Sequence, residues 1–198
     1  MLSKKEISEV HTKYMNLVEK LPDEVYAPIK NYLNADGMSE LLMSTPASAK
    51  KEFHNAFEGG FLDHSVRVVK YARRYLKMAP EIFQNVNPDR ITFLCLVHDL
   101  GKIGTEEPRY ILNTSEWHLK NGNLYSINNK SLTVAHGTLY HMSQAKMPLE
   151  DSDIIAILSS EGYQTQDVSR YENISPPISN LLRMSKDLAI QEEKLAEN

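Results

Sequence analysis

The chain has 198 residues, enough for one domain with a sizeable core, and its 41% hydrophobic and 24% charged residues exclude a disordered or fibrous protein. A net charge of −4 offers no bulk attraction to polyanions, and a single cysteine, Cys95 in an apolar run, excludes a disulfide framework and suits a reducing compartment. The longest apolar run, Ile91 to Val97, is too short to span a bilayer and no secretory signal opens the chain, so a cytoplasmic protein with no membrane partner is expected.

Ser3 followed by Glu6 fits a reciprocal helix cap, and Ile7, Val10, Tyr14, Leu17, Val18 and Leu21 recur at helical spacing until Pro22. A second helix is expected over 23–33, closed by Asn34-Ala35-Asp36-Gly37, with weaker helical signals over 39–44 and 47–56. Gly59-Gly60 breaks the chain before an amphipathic helix over 62–78, whose inner side is Leu62, Val66, Val69, Ala72 and Tyr75. Asn87-Pro88 caps the helix that runs into His98 and Asp99, with Gly101 as its stop. Between 108 and 129, Asn121-Gly122 separates two short segments rich in aromatic and branched residues, a β-hairpin pattern. Helices return over 135–146 and 152–160. A last one follows Ser175-Pro176-Pro177 and carries Ile178, Leu181, Leu182, Ser185 and Leu188 inward. The expected fold is all-α with one hairpin insert.

"LCLVHDLGKIG" sets an aliphatic run against His98, Asp99, Gly101 and Lys102. A buried histidine needs only a hydrogen-bond partner, but a carboxylate beside it is costly to bury unless a cation or strong donors compensate it. Lys102 suits an anionic ligand, or else stands as a solvated lysine near a helix end. His64 can face inward with Val68, and Arg67 can lie over the same pocket. His54, His136 and His141 are further candidates, whereas His11 and His118 read as ordinary surface or hairpin residues. No His-Glu-x-x-His, phosphate-binding glycine loop, dinucleotide fingerprint or cysteine pair occurs. By periodicity alone, Asp187 reads as an exposed partner of Arg183.

Taken together, "HNAFEGGFLDHS", "LVHDLGKIG" and "LLRMSKDLA", in that order, resemble the HD superfamily of metal-dependent phosphohydrolases. The first segment is similar to the HD domain of bacterial 3′-to-5′ exoribonucleases and to small stand-alone phage-type HD proteins. "SEWHLKNGNLYSIN" and "AHGTLYHM" also resemble the phage group. The resemblance implies a single HD-type domain over 1–198, with residues 1–45 as a helical extension and 46–190 as the core. It implies one divalent metal ion, drawn from Mn, Co, Ni, Fe, Zn and Mg, held by His64, His98, Asp99 and Asp187. Asp99, Lys102 and Glu161 become the catalytic set, and Arg67, Lys102, His54 and His136 the substrate contacts. In "ILSSEGYQT", Ser160 stands where many of these enzymes carry a further histidine, which argues against a second metal. The implied substrate is a small nucleotide. A 3′-to-5′ exonuclease on single strands and a non-catalytic nucleotide-binding protein are the alternatives, and homo-oligomer formation is left open.

Overall fold

Ser3 and Glu6 open the first helix as their spacing predicts. The Ser3 hydroxyl oxygen accepts from the Glu6 amide at 3.3 Å, and the Glu6 carboxylate accepts from the Ser3 amide at 2.7 Å, capping α1 (Lys4–Glu19). The computed structural model describes residues 2–162 and 166–197; Tyr163, Gln164 and Thr165, at the end of "ILSSEGYQT", lie outside the described residues. Pro22 precedes α2 (Asp23–Leu33), and Gly37, at φ 81°, precedes α3 (Met38–Ser44). Tyr14, Val18, Ile29, Leu33 and Leu42 from these helices are buried in the same apolar cluster as Phe61, Phe93 and Leu181. The buried Tyr14 hydroxyl donates to the Leu96 carbonyl at 3.0 Å.

The helix expected over 47–56 does not form. Asn55 sits at φ 43°, and the backbone here pairs outward instead: Lys51 N–H donates to Gly122 O at 2.9 Å, and Tyr125 N–H donates to Ala49 O at 3.0 Å. The segment then feeds α4 (Gly60–Met78), which starts two residues earlier than its apolar periodicity suggests. Only glycine fits at 60, because a Cβ there would lie 2.1 Å from Asn55 O.

Asn87 and Pro88 begin α5 (Pro88–Val97) as expected, with the Asn87 side chain accepting from the Asp89 and Arg90 amides. The end differs from expectation. The α-helix stops at Val97, His98 caps it, and Leu100–Ile103 forms a 3₁₀ turn. Gly101 is therefore not the stop signal; it is the point where this turn touches α7 (Val134–Gln144).

Within 108–129, β1 (Tyr110–Leu112) and β2 (Tyr125–Ile127) pair antiparallel, Ile111 opposite Ser126. The hairpin is real, but Asn121-Gly122 ends a short helix, α6 (Glu116–Lys120), rather than forming a two-residue turn. After α7 come α8 (Asp151–Ser159), the unanticipated short α9 (Gln166–Ser169) and a 3₁₀ turn at Glu172–Ile174, and finally α10 (Pro177–Glu197). This last helix lies along α4 and packs on α8 and α5. Its inner stripe is Ile178, Leu181, Leu182, Ser185, Lys186, Ala189 and Glu193; Leu188, expected inside, is 38% exposed. Among the described residues, no helix is long and apolar enough to cross a membrane.

Candidate metal centre

Two elements bring the donors together. α4 buries Phe61, Leu62, His64, Ser65, Val68 and Val69 on one face, so His64 is carried inward by the same periodicity that builds the core. The change from α-helix to 3₁₀ turn after Val97 then sets His98 and Asp99 opposite it, all three fully buried. His64 Nε2 is 3.8 Å, and His98 Nε2 3.4 Å, from Asp99 Oδ2. Both Nε2 atoms and Oδ2 are buried and receive or make no well-directed hydrogen bond. Buried polar atoms are almost always satisfied, so two unsatisfied imidazole nitrogens converging on a carboxylate oxygen that is held by an ammonium group fit a site for a cation.

The outer nitrogens are engaged. The His98 Nδ1–H donates to the Cys95 carbonyl at 3.0 Å, which leaves Nε2 facing Asp99. His64 Nδ1 lies 2.9 Å from Oε1 of Glu193, itself buried on α10. Burial, reinforced by the Lys102 ammonium, pushes the His64 pKa well below its ordinary value, so the ring is neutral, as ligation requires. Burial, with Asp63 nearby, pushes the Glu193 carboxyl up to about 9. In the tautomer that carries its proton on Nδ1, His64 donates to Glu193 and its Nε2 lone pair points to the centre. This is the carboxylate–histidine arrangement that orients metal ligands. Glu193→Gln is expected to weaken Mn(II) affinity about 10- to 100-fold, measured by titration calorimetry; an unchanged affinity would show that Glu193 does not orient His64.

Two ammonium groups close on Asp99. Lys102 Nζ is 2.5 Å from Oδ2 and Lys186 Nζ, from α10, is 3.4 Å from Oδ1; both lysines are 5% exposed. Burial alone would raise the Asp99 pKa, but the His98 ring and these two ammonium groups outweigh it and hold the carboxyl well below the usual range. Lys186 also ion-pairs with Glu161, whose side chain is 54% exposed at the outer end of the pair.

Of the expected ligands, His64, His98 and Asp99 are brought together and Asp187 is not. Asp187 is exposed on α10, one residue past the inner stripe, and the inward position belongs to Lys186. Periodicity alone read its exposure correctly, and the ligand role implied by resemblance is corrected. His54 joins the cluster: its ring is 4.9 Å from that of His64, its Nε2 is unsatisfied, and burial pushes its pKa down to about 3. Among the described residues, two donor triads can hold a metal, His64–His98–Asp99 and His54–His64–Glu193. Arg67 sits at the rim of the cluster, held by Asp63 at 2.9 Å and Glu192 at 3.0 Å and reaching Glu193 at 4.0 Å. His136 is exposed at the start of α7, its Nδ1 2.7 Å from the Thr133 hydroxyl, and is no pocket residue. The buried histidine of that helix is His141, clamped by the Tyr32 hydroxyl and the Gly104 carbonyl at 2.7 Å each.

Sequence reasoning missed Lys186 and Glu193. The signal was available: Leu182, Lys186, Ala189 and Glu193 follow spacings of four, three and four on one helical stripe, and charged residues in an apolar register mark a buried polar function.

A helical bundle that gathers two unsatisfied imidazole nitrogens and a carboxylate, all fully buried, has a donor set of nitrogen and oxygen that could hold a divalent metal ion. The HD domain matches residues 61–177, more than half of the chain, and the chain belongs to that family, whose members are metal-dependent phosphohydrolases in general. The match contains His64, His98, Asp99 and Lys102 and ends at the first residue of α10. No curated protein and no solved structure matches the chain.

Proposed function

We propose that the protein hydrolyses a phosphate ester or anhydride of a small nucleotide, a nucleoside mono- or triphosphate, at the His64–His98–Asp99 centre. The observation that carries this reading is the juxtaposition of two unsatisfied buried imidazole nitrogens and the Asp99 carboxylate with two buried ammonium groups. The first set suits one divalent ion of the Mn, Co, Ni, Fe, Zn or Mg group; the second suits the phosphoryl oxygens of a substrate. A divalent ion held there supplies Lewis acidity toward a phosphoryl oxygen and a more acidic water.

The residues divide the remaining work. Asp99 supplies the one full negative charge among the donors, and the neutral His64 ring adds affinity without further charge. Lys102, at Asp99 Oδ2, neutralises charge that develops on the phosphoryl oxygens. Glu161, a carboxylate at the outer end of its pair with Lys186, is the candidate acceptor of the proton lost by the attacking water. His54, with an unsatisfied Nε2 beside His64, is the candidate contact to the rest of the substrate. The net charge of −4 favours a small nucleotide over a long nucleic acid.

The test is phosphate release from a panel of nucleotides, with protein loaded in turn with each of the six metals. Release by the native protein and its loss in His98→Gln is expected. No release from any nucleotide by metal-loaded protein, or cleavage of a single-stranded oligonucleotide alone, would overturn the reading.

A further inference from the structure

We propose that Lys186 is an anion-binding residue of this centre, forming with Lys102 a two-ammonium clamp for a phosphoryl group. The inference rests on the metal-centre reading above and adds the substrate contact made by α10.

The helical phase of α10 decides which residue enters. Leu182, Lys186, Ala189 and Glu193 are buried in one stripe and Asp187 is exposed, so the helix delivers a cation to Asp99 and no second carboxylate. The centre thus has three inner protein donors, and three protein ligands with positions left open is the arrangement of catalytic metal sites.

The charges point to a further anion. Lys102 alone, at 2.5 Å from Oδ2, satisfies Asp99 as an ion pair. Lys186 brings a second buried ammonium to the other oxygen of the same carboxylate, and a buried ammonium is costly without a partner of its own. Its outer partner is Glu161, half in solvent, where an ion pair holds weakly. Asp99 engaged by a divalent ion has less negative charge to offer either lysine, and phosphoryl oxygens are the anions that take up the difference. Lys186 then exchanges Glu161 for the substrate, which frees the Glu161 carboxylate.

Calorimetric titration of the Mn(II)-loaded protein with inorganic phosphate tests this. Lys186→Met is expected to keep Mn(II) affinity and lose about tenfold or more in phosphate affinity, while Lys186→Arg retains most of it. Lys186→Asp is expected to tighten Mn(II) and weaken phosphate. Equal phosphate affinity in the native protein and Lys186→Met would overturn the proposal. So would Mn(II) binding to Lys186→Met but not to the native protein, because the ammonium would then be a substitute for the metal. His98→Gln separates the two ideas: Mn(II) affinity that survives it overturns the centre itself. Mn(II) lost in His98→Gln, with phosphate affinity unchanged in Lys186→Met, overturns only the role of Lys186. Should Lys186→Met fail to fold, Glu161→Gln carries the test. Removing the competing carboxylate is expected to tighten phosphate about threefold, and unchanged or weaker binding overturns the proposal.

Discussion

Asp99→Ala is expected to destabilise the metal-free protein by about 3–5 kcal/mol, besides abolishing metal binding. At a site made only of ligands, removing a carboxylate relieves repulsion and often stabilises the empty protein. Here the sign is reversed, because Asp99 is the shared counter-charge of Lys102 and Lys186, both 5% exposed. Without it, two ammonium groups remain buried with only Glu161, itself half exposed, between them. Urea unfolding followed by circular dichroism measures the loss, and Asp99→Ala combined with Lys102→Met is expected to recover part of it. A loss below about 1 kcal/mol in the single variant would mean that the lysines reach solvent freely and that the centre is not the closed charge cluster described above.

Gly101→Ala is expected to cost about 3 kcal/mol and to lower the melting temperature by about 6–12 °C, with loss of metal binding. A Cβ at 101 would lie 2.1 Å from Val134 O, 2.7 Å from Thr138 N and 3.0 Å from Gly137 C. All three are backbone atoms of α7, so no rotamer change relieves the clash and the helix must move. The contact is also wired to the donors: Thr138 Oγ1 accepts from the Gly101 amide at 2.9 Å and donates to the His98 carbonyl at 3.0 Å. Displacing α7 therefore shifts the backbone that aims His98. Native melting and native metal affinity in Gly101→Ala would show that the turn and α7 are not rigidly coupled.

How far the residues could be read without coordinates depended on whether their environment was local. Ser3 and Glu6, Asn87 and Pro88 act within one helical turn, and both caps form as read. His64, His98 and Asp99 were legible because each sits in an apolar register that leaves it no route to solvent. Asp187 failed by a single residue: successive helix positions differ by roughly 100°, so one step along α10 separates the centre from water. The loop around Asn55 was read as helix because its partners, Gly122 and Tyr125, lie far along the chain. Asn121-Gly122 carried a strong turn signal, and the turn is there, but α6 took it as a helix end. Gly101 shows the same limit, since its neighbour α7 cannot be inferred from "LGKIG".

The separation of the centre along the chain has a kinetic consequence. His64 meets Glu193 across 129 residues, and Asp99 meets Lys186 across 87. Contacts of such sequence separation close only after large loops have been ordered, so they belong to the slow end of folding. A chain whose last helix has not docked holds an unoriented His64 and an Asp99 with one lysine. On the proposed metal centre, high-affinity metal uptake is expected to mark the arrival of α10, and an ion added during refolding would time the final step of assembly.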